Sequence, residues 1–130
     1  MLKEENVVPF PCTGCSVCCH KLSEIHEAAS RAPEGSVVRQ AADSFPYGWD
    51  ETGTCTMLEN GLCSVYSERP LMCDVRKLAV ACHNAGECDI KRLYTLNAIM
   101  CNCFVQEAEL DPKFMVDPLQ FELWEFKEDL

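Results

Sequence analysis

Cys12-Thr13-Gly14-Cys15-Ser16-Val17-Cys18-Cys19 places four cysteines within eight residues, in the spacing C-x-x-C-x-x-C-C. A C-x-x-C turn sets two sulfurs close together with backbone N–H groups turned toward them, which suits a tetrahedral thiolate site. A third cysteine after two more residues gives a spacing that holds iron–sulfur clusters. Neighbouring residues of an extended chain point to opposite faces, so Cys18 and Cys19 are expected to serve different positions. Gly14 permits the tight approach of backbone to metal.

Four further sulfurs lie where the chain can bring them to the same place. Asn60-Gly61 is a strong hairpin signal, because both central positions of a type I′ turn need positive φ. It predicts short strands over 54–58 and 62–66, with Cys55 and Cys63 on opposite arms, able to meet at one end of one face. Ser67-Glu68-Arg69-Pro70-Leu71-Met72-Cys73 leaves the hairpin and supplies another sulfur. Pro70 there suits the first turn of a short helix. From Asp89, the residues Ile90, Leu93, Tyr94, Asn97, Cys101, Phe104, Val105 and Ala108 recur at helical spacing on one face, predicting a long helix over about 89–109. Cys101 lies on that inward stripe and is a candidate ligand. Cys103 lies well off it and is not. Residues 79–88 read as a small-residue loop, whose Cys82 and Cys88, like Cys103, are taken as non-ligating thiols. His20 and His83 are read as edge residues rather than ligands.

The remaining elements frame these sulfurs. Residues 1–11 form an extended lead-in punctuated by Pro9 and Pro11. A helix is predicted from Ser23, its N-cap, to a stop before Pro33, and a second short helix over 36–44. Phe45-Pro46-Tyr47-Gly48-Trp49 is an aromatic loop expected to plug the core. Asp117-Pro118 can start a last helix carrying Phe121, Leu123, Trp124 and Phe126. The expected fold is a small, irregular, metal-stapled α+β domain spanning residues 1–130: one β-hairpin (about 54–66), short N-terminal helices and one long helix (about 89–109). The quartet, the hairpin and the long helix are expected to meet through sulfur alone.

Eleven cysteines in 130 residues is about 8%, a level reached by disulfide scaffolds and by metal-rich domains. The odd count and the C-x-x-C clustering favour metal. The opening MLKEENVVPFPC has no apolar signal region, so a reducing, cytoplasmic location is expected. No apolar run approaches a membrane span. The net charge of −10 argues against a nucleic-acid partner, which normally meets a basic face. Residues 93–130 hold eight acids against two bases, whereas residues 70–92 hold three acids against four bases. A slightly basic stretch beside anionic thiolates makes electrostatic sense.

Cys12-x-x-Cys15-x-x-Cys18-Cys19, followed by Cys55-x7-Cys63-Ser-Val-Tyr66-x-x-Arg69-Pro70-x-x-Cys73, resembles the YkgJ-type cysteine-cluster family, a zinc- or iron-chelating CxxCxxCC domain. The resemblance covers about residues 10–77, and Tyr94-x-x-Asn97-x-x-x-Cys101 is similar to a feature of some members. Many members have an arginine just after the last of these cysteines, where this chain has Asp74-Val75-Arg76. The same module occurs in flagellin lysine N-methylase, for which an iron–sulfur cluster has been proposed. Arg69 can donate to thiolate sulfurs or nearby carbonyls and offset cluster charge, or else pair at the surface with Glu68 or Glu59. With Tyr66 and Asn97 it is the expected set of cofactor-binding neighbours. The ligand set is then Cys12, Cys15, Cys18, Cys19, Cys55, Cys63, Cys73 and Cys101, enough for two four-sulfur sites.

Zinc and iron both accept four thiolates, and the ferredoxin-like opening tilts the expectation toward an iron–sulfur (4Fe-4S) cluster over Zn2+. Three functions follow: a metalloprotein using its cluster for electron transfer or redox sensing; a structural zinc module whose acidic C-terminal region docks a protein; or a small iron–sulfur enzyme with an open cluster position. No hydrolytic zinc motif, catalytic triad or phosphate-binding loop is visible.

Overall fold

The computed structural model describes residues 1–12 and 16–123, and these form a mostly helical α+β arrangement. Val17–His20 is one helical turn (α1), and Leu22–Ser30 (α2) follows after a single residue. Lys21, not Ser23, is the N-cap of α2, because the Ser23 N–H is drawn to the Gly53 carbonyl at 3.2 Å. α3 spans Val37–Asp43, and the Ser36 side chain caps it by accepting from the Arg39 N–H.

The hairpin is shorter than predicted. Its ladder is only Leu58–Glu59 (β1) against Leu62–Cys63 (β2), paired Leu58 to Cys63 and Glu59 to Leu62. The turn is as expected: Asn60 and Gly61 have φ of 50° and 77°, the positive pair a type I′ turn requires. Cys55 leaves the ladder to bridge Trp49, and its N–H donates to the Cys19 carbonyl at 2.8 Å. The arms therefore follow the site rather than extending as regular strands.

The largest departure lies between residues 75 and 84. The expected loop is a helix, α4 (Val75–Asn84), entered from a 3-10 turn at Leu71–Cys73 and capped by Asp74, whose side chain accepts from Lys77 N–H. Val75, Leu78, Ala79 and Cys82 recur at i, i+3, i+4 and i+7, a helical stripe on which Ala79 and Cys82 are buried. Gly86, at φ 72°, ends the helix: its N–H reaches His83 O and that of Glu87 reaches Cys82 O, the paired bonds of a Schellman stop. α5 runs over Ile90–Glu107 with Asp89 as N-cap, within two residues of the predicted bounds.

The tail closes over α5 through 3-10 turns at Pro112–Phe114 and Pro118–Leu123, the latter in place of the expected α-helix. Trp124 and Phe126 lie outside the described residues.

Two apolar cores result. One gathers Leu2, Val7, Ala79, Val80, Ile90, Tyr94, Ala98, Val116 and Phe121. Its centre is aromatic: Phe121 packs edge-on to Tyr94 at 5.4 Å and parallel to Phe10 at 5.8 Å, while the Tyr94 hydroxyl donates to Val8 O at 2.8 Å. Burying each such large side chain contributes about 1.5–3 kcal/mol. This core uses no sulfur ligand, so the elements do not meet through metal alone, contrary to the sequence expectation. The second core packs Leu22, Ala41, Ala42, Cys55 and Met72, with Cys19 and Cys73 against it. It carries the cysteines.

In the aromatic loop, Phe45 packs against this second core, whereas Trp49 stays 39% exposed beside the His26 ring. The loop therefore plugs the core only in part.

Candidate metal centre

Six of the eight expected ligands converge. Cys18 and Cys19 lie on α1, not on extended chain, and the roughly 100° between successive helical residues aims them at different neighbours. The Cys18 thiol hydrogen-bonds with that of Cys101 from α5. Cys19 faces Cys63 of β2 and Cys55, and Cys73 lies within electrostatic reach of Cys19, Cys55, Cys18 and Cys63. Electrostatically, Cys19 and Cys73 are each linked to the other and to Cys55, Cys63 and Cys18, and Cys18 is linked in turn to Cys101.

Local structure explains the convergence. The Cys55 N–H to Cys19 O bond staples the hairpin entry to α1, and the Ser16 hydroxyl donates to Gly61 O at the hairpin tip. Pro70 starts the tight turn in which the Cys73 N–H donates to Pro70 O at 2.9 Å. α1 packs on α5, bringing the inward stripe with Cys101 beside Cys18. Cys103 is exposed, as its register predicts. Ala98 is the residue the stripe missed: it is fully buried, while Asn97 beside it is half-buried and Ala108 is exposed.

The electrostatics describe crowded thiols. Burial, reinforced by Cys63 and Cys55, pushes Cys19 up to about 12. Burial and then Cys19 and Cys55 do the same to Cys73, also to about 12. Cys18 is raised well above its ordinary value, first by its bond with Cys101 and then by burial, while Arg69 acts in the opposite sense. Cys18 is an exposed residue whose thiol meets that of Cys101. A bound cation inverts this balance, because metal ligation favours the thiolate.

The three expected neighbours also assemble here. The Asn97 amide donates to Cys101 Sγ at 3.7 Å. The Arg69 guanidinium stacks on the Tyr66 ring at 4.2 Å, donates to Cys73 O at 3.4 Å and lies 4.0 Å from the Asp74 carboxylate. Asp74, which departs from the resembled pattern, thus both caps α4 and holds Arg69.

Cys12 is exposed on the lead-in, and Cys15 lies outside the described residues. Cys82 is buried in α4, and Cys88 lies beyond the C-terminal end of that helix, away from the six. His20 is an edge residue, with Nδ1 3.5 Å from Thr54 Oγ1. The described cysteines are thiols rather than disulfides. Among the described residues, no three donors already surround one point closely enough to hold an ion. The donor set nonetheless fits a thiophilic metal: six neighbouring thiols, an amide donor on one sulfur, and a half-buried guanidinium beside them.

Such a site belongs to a cysteine-ligated metal-binding protein. Residues 11–103 match the family model CxxCxxCC, described as "putative zinc- or iron-chelating domain", and the chain belongs to that family. No curated protein and no solved structure matches it significantly. Among the described residues no helix is long and apolar enough to cross a membrane.

Proposed function

We propose that this chain acts as one cysteine-cluster domain that holds an iron–sulfur cluster and uses it for electron transfer or redox sensing in a reducing, cytoplasmic setting. The observation that carries this reading is the convergence of six thiols from α1, the hairpin, the 71–73 turn and α5. Cys19, Cys55, Cys63 and Cys73 would hold one four-sulfur group. Cys18 and Cys101 would hold a second with Cys12 and Cys15. A bound cluster supplies a one-electron couple whose potential depends on charge, hydrogen bonds to sulfur and exposure. The chain supplies those influences through the Asn97 amide, the Arg69–Tyr66 stack and the exposure of Cys18.

One observation favours a second reading. Cys19 and Cys73 are each linked to Cys55 and Cys63, and four thiols are also the count that a closed structural zinc site takes. Under that reading the metal staples the hairpin to α1, and the acidic C-terminal region is the surface for a protein partner. Anaerobically purified protein separates the two. Broad absorption at about 400 nm that bleaches on reduction is expected for thiolate-bound iron clusters. Colourless protein with stoichiometric zinc would replace the first reading by the second.

A further inference from the structure

The arginine leaving the hairpin is built into the metal centre more deeply than a surface cation would be. Arg69 is only 24% exposed. Its plane lies over the Tyr66 ring, one terminal nitrogen donates to the Cys73 carbonyl, and the other is 4.0 Å from Asp74. Its Nε is buried with no hydrogen-bond partner. A buried N–H left without an acceptor costs free energy comparable to a lost hydrogen bond, so a native site tends to give it one. The nearby groups that gain acceptor strength on metal binding are the sulfurs: each ligating thiol loses its proton.

The charge count points the same way. Four thiolates around a divalent metal leave a net negative site, and a second thiolate pair beside it adds to that charge. An arginine fixed by stacking and by a carbonyl is a pre-set countercharge, since its planar fork loses little freedom on donating to the site.

We propose that Arg69 is a positioning residue for the metal-loaded centre. In this role its guanidinium balances the charge of the thiolate shell, and Nε donates to a sulfur of that shell when metal is bound. Tyr66 and Asp74 are its supports: one fixes the plane and the other the rotation. This inference rests on the cysteine-metal reading but not on which metal is native, so cobalt(II) serves as the probe.

The test is an anaerobic cobalt(II) titration of the full chain and of its Arg69→Gln and Arg69→Lys variants. Two quantities are read: the affinity and the position of the sulfur-to-cobalt charge-transfer band. Removing a donor and a positive charge from beside a thiolate raises the energy of its lone pairs, so the band moves to longer wavelength. For Arg69→Gln the expected result is that shift, with affinity weaker by about 10–100-fold, the usual effect of losing a group behind the ligands. Arg69→Lys keeps charge but loses Nε, so it should recover part of the affinity and show a smaller shift in the same direction. Unchanged affinity and band position in Arg69→Gln overturn the proposal. A loss of affinity with an unmoved band also overturns it, because a scaffolding role alone would do that. If Arg69→Gln does not fold, Arg69→Lys decides by the same band. No charge-transfer band in the unaltered protein would overturn the cysteine-metal reading itself, and this inference with it.

Discussion

Cys101→Ser and Cys103→Ser sit two residues apart on α5 and should differ sharply. Cys101 is half-buried, bonded to the Cys18 thiol and accepting from the Asn97 amide at 3.7 Å. Cys103 is exposed. Structural thiolate sites bind zinc with apparent free energies of about 10–16 kcal/mol over four ligands, so one ligand carries roughly 2.5–4 kcal/mol. Cys101→Ser should therefore destabilise the metal-loaded protein by several kcal/mol, lowering the urea midpoint by about 1–2 M for a chain of this size. Cys103→Ser should stay within about 0.5 kcal/mol. Anaerobic urea denaturation of metal-loaded protein, paired with chelator competition, measures both variants. Equal effects would mean that Cys101 contributes no ligand. A larger effect at Cys103 would mean that α5 turns its other face to the metal.

Three further outcomes are expected. Chelation under reducing conditions should release the hairpin and α1 while leaving protected amides in α4 and α5, because the core around Tyr94 and Phe121 contains no ligand sulfur; hydrogen exchange reports this, and uniform loss of protection would contradict it. Phe121→Ala, which empties a fully buried site against Tyr94 and Phe10, should cost about 3–5 kcal/mol by thermal or chemical unfolding. Cys82 is 1% exposed, and burial, followed by Glu87 and Cys88, pushes its thiol up to about 11. Its folded value is raised above the unfolded value of about 8.5, so its contribution is fully present below that pH and is lost as pH rises toward about 11. Relative to Cys82→Ala, the unaltered protein should thus lose roughly 2–3 kcal/mol of stability over that window, and parallel stability-against-pH curves would refute the assignment.

Local elements were more legible in the sequence than the way they pack. The Asn60-Gly61 turn and the register of α5 each depend on a few neighbouring residues, and both are found in the fold. α4 was missed because its apolar stripe, Val75, Leu78, Ala79 and Cys82, straddles the start of the 79–88 segment read as a loop, and its burial comes from elements distant in sequence. The hairpin arms were overextended for a related reason. β-propensity favoured strands through Thr54 and Tyr66, but the Cys55 backbone is held by Cys19 and the chain after Cys63 turns toward Arg69. Cys18 and Cys19 diverge as expected, although through a helical turn rather than an extended chain. The sulfur-free core also escaped the sequence reading, since Phe10, Tyr94 and Phe121 come from three separated segments.

The most direct test of the central claim is a count of iron, zinc and acid-labile sulfide per chain in anaerobically purified protein, repeated on Cys19→Ser and Cys18→Ser. The account predicts iron and sulfide in near-equal amounts, with each substitution removing a large part of both. Protein with neither metal, or with iron and sulfide unchanged by both substitutions, would contradict it.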